Sequence, residues 1–226
     1  DGGILFCGYS SDGCWSVRGG EASCVMASEI RIAAGSSKVG SWIWDVPDVN
    51  GSPDPDLVIN APITRHSNEI YPDARIVKRG DGTVSLKKTL ASQVNSVSVE
   101  EGAVFLGSNQ CCDINNDNFV LSGGAIGVGA GVAATFGRVR LVRDSRLILE
   151  EGASLTLAAQ SPEWWSSGTL SIVGPTHLER EIRFGNSASG LTTAQLRMIR
   201  YNGERVMLDN SGYLKIGRPG LVLICK

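Results

Sequence analysis

One strand–turn–strand unit occurs twice in this chain. Val97-Ser-Val-Glu-Glu-Gly-Ala-Val-Phe-Leu106 and Leu147-Ile-Leu-Glu-Glu-Gly-Ala-Ser-Leu-Thr-Leu157 share Glu-Glu-Gly-Ala after an apolar–x–apolar triplet, and the copies start 50 residues apart. Apolar residues at every second position place one face of a strand against a core. Glycine at the bend supplies a backbone conformation that other residues resist. A unit of this kind cannot bury its apolar side alone, so its recurrence predicts coils stacked on one another. Ile76-Val-Lys-Arg-Gly-Asp-Gly-Thr-Val-Ser-Leu86 has the same strand–corner–strand grammar.

Composition agrees with a β-rich, corner-rich chain. Of 226 residues 28 are Gly, while charged residues make up 19% and aromatics 6%. The net charge of −2 gives no basic field to attract nucleic acid. No apolar run approaches the roughly 20 residues that a membrane-spanning helix needs. The chain starts at Asp1, which suggests a mature, processed form. Six cysteines, Cys7, Cys14, Cys24, Cys111, Cys112 and Cys225, are expected to form disulfides in an oxidising, extracellular setting. Their pairing is open. Zinc is disfavoured, because the N-terminal spacings of 7 and 10 do not suit Cys-x2–4-Cys and only His66 and His177 could assist.

Three regions are expected. Residues 1–75 hold Cys-rich strands followed by a loop, Asp45-Val-Pro-Asp-Val-Asn-Gly-Ser-Pro-Asp-Pro-Asp56, whose prolines cannot donate to a ladder. Residues 76–174 carry the coil repeats. Residues 175–226 form a C-terminal module with a short helix, marked by the capping box Thr192-x-x-Gln195 and staple residues Leu191 and Leu196. Asn202-Gly203 can end that helix through a left-handed residue. The segment Leu221-Val222-Leu223-Ile224 is an apolar strand without alternation, so it must be buried in the fold or against another molecule. The expected fold is all-β: a short right-handed parallel β-solenoid, with a β-sandwich as the alternative, and a small C-terminal β/α cap.

Two sets of motifs resemble one family. Lys78-x-Gly80-x-Gly82-x-x-x-Leu86 and Val97-x-Val99-x-x-Gly102-x-Val104-x-Leu106-Gly107 resemble the autotransporter-associated β-strand repeat. Ile182-Arg-Phe-Gly-Asn-Ser, Leu191-Thr-Thr-Ala-Gln-Leu, Ile199-Arg-Tyr-Asn-Gly and Leu208-Asp-Asn-Ser-Gly-Tyr-Leu214 resemble the C-terminal module of such proteins in Verrucomicrobia-like bacteria. The resemblance implies a parallel β-solenoid that is secreted or displayed on a bacterial surface, and it brings no catalytic residues.

Candidate sites are few. Asp113, Asn115 and Asp117 begin like a calcium loop, but position 12 is Gly124, not the bidentate Glu of an EF-type loop. An Asx-rich turn is the favoured reading there, and Asp45, Asp48, Asn50, Asp54 and Asp56 form a second acidic loop of the same ambiguity. No cofactor is expected, calcium at these loops being the one candidate. Gly127-Val-Gly-Ala-Gly-Val132 lacks the third Gly and the following helix of a dinucleotide loop. Trp164 and Trp165 could stack on sugar rings, although core packing is the default for large aromatics. Glu100-Glu101 and Glu150-Glu151 read as a solvated charge ladder at corners. The expected function is non-catalytic: a secreted subunit of an extracellular fibre, sheath or matrix, partnered by itself through the apolar strand Leu221–Ile224 and the first strand Ile4–Cys7. A glycan-binding surface adhesin and a polysaccharide-degrading β-solenoid enzyme are the alternatives, with no nucleic acid and no membrane span in any of them.

Overall fold

The computed structural model describes residues 4–7, 12–17, 24–26, 30–32, 40–49, 51–65, 74–88, 94–109, 113–114, 119–176, 178 and 181–217. The chain enters through an antiparallel hairpin of β1 (Ile4–Cys7) and β2 (Asp12–Val17). From β2 it winds in coils. The first coil is β2, β3 (Cys24–Met26) and β4 (Ile30–Ile32); the second is β5 (Gly40–Asp45), β6 (Leu57–Ile59) and β7 (Ile63–Arg65). Next come β8 (Ala74–Arg79) with β9 (Thr83–Leu86), then β10 (Val94–Val99), β11 (Ala103–Leu106) and β12 (Asp113–Ile114). Two further coils are β13 (Phe119–Leu121), β14 (Ala125–Val128), β15 (Ala133–Phe136), and β16 (Val139–Leu141), β17 (Ser145–Leu149), β18 (Ser154–Leu157). The last contributes β19 (Leu170–Val173) and β20 (Ile182–Phe184). Helix α1 (Thr193–Met198), β21 (Ile199–Tyr201) and the hairpin β22 (Val206–Leu208)–β23 (Leu214–Ile216) finish the described chain.

Corresponding strands of successive coils pair in parallel and build three faces. The first face runs β1-β2-β5-β8-β10-β13-β16, the second β21-β19-β17-β14-β11-β9-β6-β3, and the third β12-β15-β18-β20, with β4–β7 as a separate pair. Every coil-to-coil ladder is parallel, so the molecule is a coil stack and not a sandwich, whose sheets are antiparallel. On the second face Val84, Val104, Ile126 and Leu147 succeed one another, so a coil takes 20 to 22 residues. These four are buried and join inward residues of the other faces, such as Leu121, Phe136 and Leu155, in one continuous core. Alternation explains the choice: inward positions are apolar and their neighbours face out.

The stack starts earlier than expected. β5 pairs with β8 through six residues, and β2 with β5 through five, so strands β2 to β7 belong to the coils instead of preceding them. The Pro/Asp segment is the corner between β5 and β6. Its prolines fall where no ladder donor is needed, which is why it read as a free loop.

The two Glu-Glu-Gly-Ala units lie at different corners. Val97–Val99 is on the first face and Ala103–Leu106 on the second, whereas Leu147–Leu149 is on the second face and Ser154–Leu157 on the third. Gly102 and Gly152 both take left-handed φ, 60° and 71°. Their surroundings differ from those of Gly131 (φ 68°), beside which a Cβ meets nothing. A Cβ on Gly102 would collide with the carbonyl oxygen of Gly82 in the coil below. Gly131→Ala is therefore expected to cost only the left-handed penalty of about 1–2 kcal/mol. Gly102→Ala must also displace fixed backbone, and should cost about 2 kcal/mol more. Denaturant titration of the two variants checks this; equal losses would show that the corner carbonyls yield freely.

Candidate functional site

The most unusual chemistry in the stack is a lysine in a core row. On β8, Ile76 and Lys78 point inward, and the row through Lys78 reads Trp44–Lys78–Val99 across three coils. Lys78 is 0% exposed. A bare ammonium there would be prohibitive, and the chain meets it with carbonyls. Lys78 Nζ donates to Gly80 O at 2.6 Å, Arg79 O at 2.7 Å, Val46 O at 3.3 Å and Glu101 O at 3.4 Å. Those oxygens belong to the corners of three successive coils, so one side chain ties the first-to-second-face corner together along the stack. Burial pulls its pKa down from 10.5 to about 8, against the raising pull of Asp45, Asp56, Asp81 and Glu101.

The acidic loop completes the same corner. Buried Asp56 accepts from Val49 N–H at 3.1 Å and Thr83 N–H at 2.8 Å. Asp81 Oδ1 accepts from Asp48 N–H at 2.9 Å, and this bond chiefly holds the Asp81 carboxyl below its ordinary pKa. Asp48 Oδ1 in turn accepts from Gly51 N–H at 2.6 Å. Outside the core, Arg79 Nε meets Glu100 Oε2 at 2.8 Å across adjacent coils. These oxygens are bound to the chain's own amides, as Asx-type turns require. Among the described residues no three of His, Cys, Asp and Glu are grouped to hold a metal ion.

The tryptophan pair closes the end of the first face. β16 is the last strand of that sheet. Its open edge is met by a bridge from Trp165 to Leu141 and by Ser166 N–H donating to Leu141 O at 3.1 Å. Buried Gln160 accepts from Val139 N–H at 2.9 Å, and the Trp165 indole N–H donates to Val139 O at 3.0 Å. Trp165 also lies edge-on to Phe184, centroids 6.4 Å apart. Buried this way, Trp165 has no ring face for a sugar. Trp164 is half-buried, with the Arg138 guanidinium 4.1 Å above its ring.

Other predicted site residues are dispersed. Cys7 and Cys14 occupy directly opposed positions of the β1–β2 hairpin. Cys24, half-buried on β3, carries a free thiol and so departs from the disulfide expectation. Asp113 starts β12. Asn115, Asp117, Cys111, Cys112, Cys225 and the strand Leu221, Val222, Leu223, Ile224 lie outside the described residues, as do His66 and His177. The capping box on α1 is formed: Gln195 N–H donates to Thr192 Oγ1 at 3.2 Å and Gln195 Oε1 accepts from Thr192 N–H at 2.8 Å. Gln195 goes further, donating through Nε2 to Ser161 O at 3.1 Å, which anchors the helix to the Trp165 segment. Sequence reasoning missed Lys78 and Gln160. The one available signal was the polar residue in an otherwise apolar alternation at Ile76–Lys78.

No protein-family model, curated protein or solved structure matches this chain.

Removing the Lys78 ammonium leaves corner carbonyls without their donor, so Lys78→Met should lose about 1–3 kcal/mol at pH 7. The gap should widen with pH. Below pH 8 the folded and unfolded chains both carry the charge, and its burial penalty is fully present. Between about 8 and 10.5 the folded chain releases a proton that the unfolded chain retains, so wild type gains stability there, by at most about 3 kcal/mol. Denaturant midpoints at pH 7 and pH 10 for wild type and Lys78→Met measure this; a constant gap would refute it. Trp165→Phe should lose about 1–2 kcal/mol through the orphaned Val139 carbonyl, read the same way.

Proposed function

We propose that this chain is a secreted structural protein, a self-assembling and non-catalytic subunit of an extracellular fibre, sheath or matrix on a bacterial surface. The observation that carries the reading is the polarity of the coil stack. At the C-terminal end all three faces meet the chain's own segments. Trp165–Ser166 and Gln160 cover β16, Glu204 bridges Tyr201 of β21, and Tyr213 bridges Arg183 of β20. At the other end, β3 has one neighbour among the described residues, β6, and β1 is the outermost strand of its sheet.

A parallel ladder that stops at an edge presents donors and acceptors to any extended strand. The apolar segment Leu221–Ile224 of a neighbouring molecule is the strand that suits such an edge. An end-to-end contact of this kind does not close on itself and makes a filament. The likeness of the motifs to surface-displayed repeat proteins supports the same setting.

Electron microscopy of the purified full chain at neutral pH tests this. Filaments are expected from wild type, and none from a chain ending at Gly217. A strictly monodisperse particle from wild type, or filaments that persist after the truncation, would overturn the strand-donation reading.

A further inference from the structure

The three faces turn different chemistry outward. On the third face the exposed column reads Thr135–Thr156–Arg183. On the first it reads Ile43–Val77–Ser98–Val120–Arg140, beside the Arg79–Glu100 ion pair. On the second the outward-facing column reads Val25–Val58–Ser85–Phe105–Gly127–Ile148–Val173, with no charge of its own and with Ser85 and Gly127 buried beneath their neighbours. Val25 is 57% exposed and Val173 49%. The flanking positions are small at Ala103, Ala125 and Gly129, but exposed Arg146 stands beside Ala125 on the same face and the Lys87 side chain lies over Gly107. The Phe105 ring lies flat over Gly127, filling the place a Cβ would take.

We propose that the second face is a lateral docking surface for a second copy of this chain, packed face to face about a two-fold axis parallel to the strands. Charge selects the geometry. The corner leaving this face carries Lys87-Lys88 after β9 and Glu150-Glu151 after β17. β9 is third from one end of the eight-stranded sheet and β17 third from the other. Such an axis reverses the stack but keeps the same corner on the same side. Full overlap of the two sheets places it between β11 and β14. It then sets Lys87-Lys88 of each copy against Glu150-Glu151 of the other. The same placement brings the two Phe105 rings together on the axis and Val58 opposite Val173. The basic end is recessed: Val25, Val58, Asn60, Lys87, Lys88 and Ser108 line an open groove able to receive the acidic corner of the other copy.

The area suffices. Eight strands extend about 34 Å, and with its corners the face is about 20 Å wide. That buries about 700 Å² per copy, close to the standard size of a specific interface. The contact is isologous and closes at a dimer. It is separate from end-to-end strand donation, so either can fail alone.

Sedimentation equilibrium of the full chain at micromolar concentration tests it. Wild type should be dimeric or, where filaments form, laterally paired. Reversing one side, Glu150→Lys with Glu151→Lys or Lys87→Glu with Lys88→Glu, should weaken the dimer about tenfold or more. An equimolar mixture of the two reversed proteins should restore it, because each contact is then again of opposite sign. Phe105→Asp should abolish pairing, with circular dichroism confirming the fold. A monomeric wild type, or a dimer indifferent to both reversals and not rescued by mixing, would overturn the proposal. Filaments that survive in the reversed proteins would leave the end-to-end contact intact.

Discussion

In a parallel coil stack, each strand bonds to strands one full turn away in sequence. Val104 pairs between Val84 and Ile126, twenty or more residues distant on each side. No coil satisfies its own backbone, and each depends on the next for both core burial and main-chain bonds. Three faces therefore end in three edges at each extremity. Corner geometry must also repeat closely enough for the ladders to stay in register.

Four of the buried polar residues, Gln160, Gln195, Lys78 and Asp56, answer those two demands. Gln160 and Trp165 sit at the last edge of the first face, supplying an acceptor to Val139 N–H and a donor to Val139 O where a further strand would have done both. Gln195 joins the terminal helix to that plug. Lys78 and Asp56 serve the corner. One gathers carbonyls from successive coils, and the other accepts Thr83 N–H and Val49 N–H across the Pro/Asp segment. A hydrophobic residue at position 78 would fill the core row equally well, but it would leave inward-turned carbonyls with no donor. Buried polarity here marks the places where the ladder alone cannot complete the backbone.

How much of this was legible follows from the same distinction. Alternation revealed the strands Ser41–Trp44, Val97–Val99, Arg138–Val142 and Thr169–Val173, because burial of one side is a local pattern. The capping box at Thr192 and Gln195 was legible for the same reason. Membership of a coil was not, since it depends on contacts twenty residues away. The prolines at 47, 53 and 55 therefore hid the second coil's corner. The repeated Glu-Glu-Gly-Ala was informative about corners and misleading about period. Its 50-residue offset is two coils plus one face, so the same turn recurs at a different edge of the prism. Trp164-Trp165 looked like a ligand platform, because sequence cannot distinguish a loop over solvent from a loop folded across a sheet end. The roles of Lys78 and Gln160 required coordinates, as their partners are main-chain atoms contributed by distant residues.

Because the ladder fixes the backbone and inward residues fill the core, outward residues are free to differ from face to face. Threonine and arginine on the third face need no explanation beyond solubility. The outward column of the second face, with Val25 and Val173 exposed at its ends and Phe105 and Ile148 half-buried between them, does, since exposed apolar side chains grouped on one face invite association. Its composition is not what random exposure would leave. The largest side chain, Phe105, is laid flat because its neighbour in the column is Gly127, and the flanking positions nearest it are Ala103 and Ala125. Flattening of this kind does nothing for the core, which lies on the other side of the strands. It does allow two such faces to approach to the roughly 10 Å at which sheets pack. Apart from Arg146 on β17, the charges along the corner leaving the strip are basic toward one end and acidic toward the other, where they can choose between orientations. Core packing does not call for that arrangement, whereas the proposed face-to-face pairing would use it.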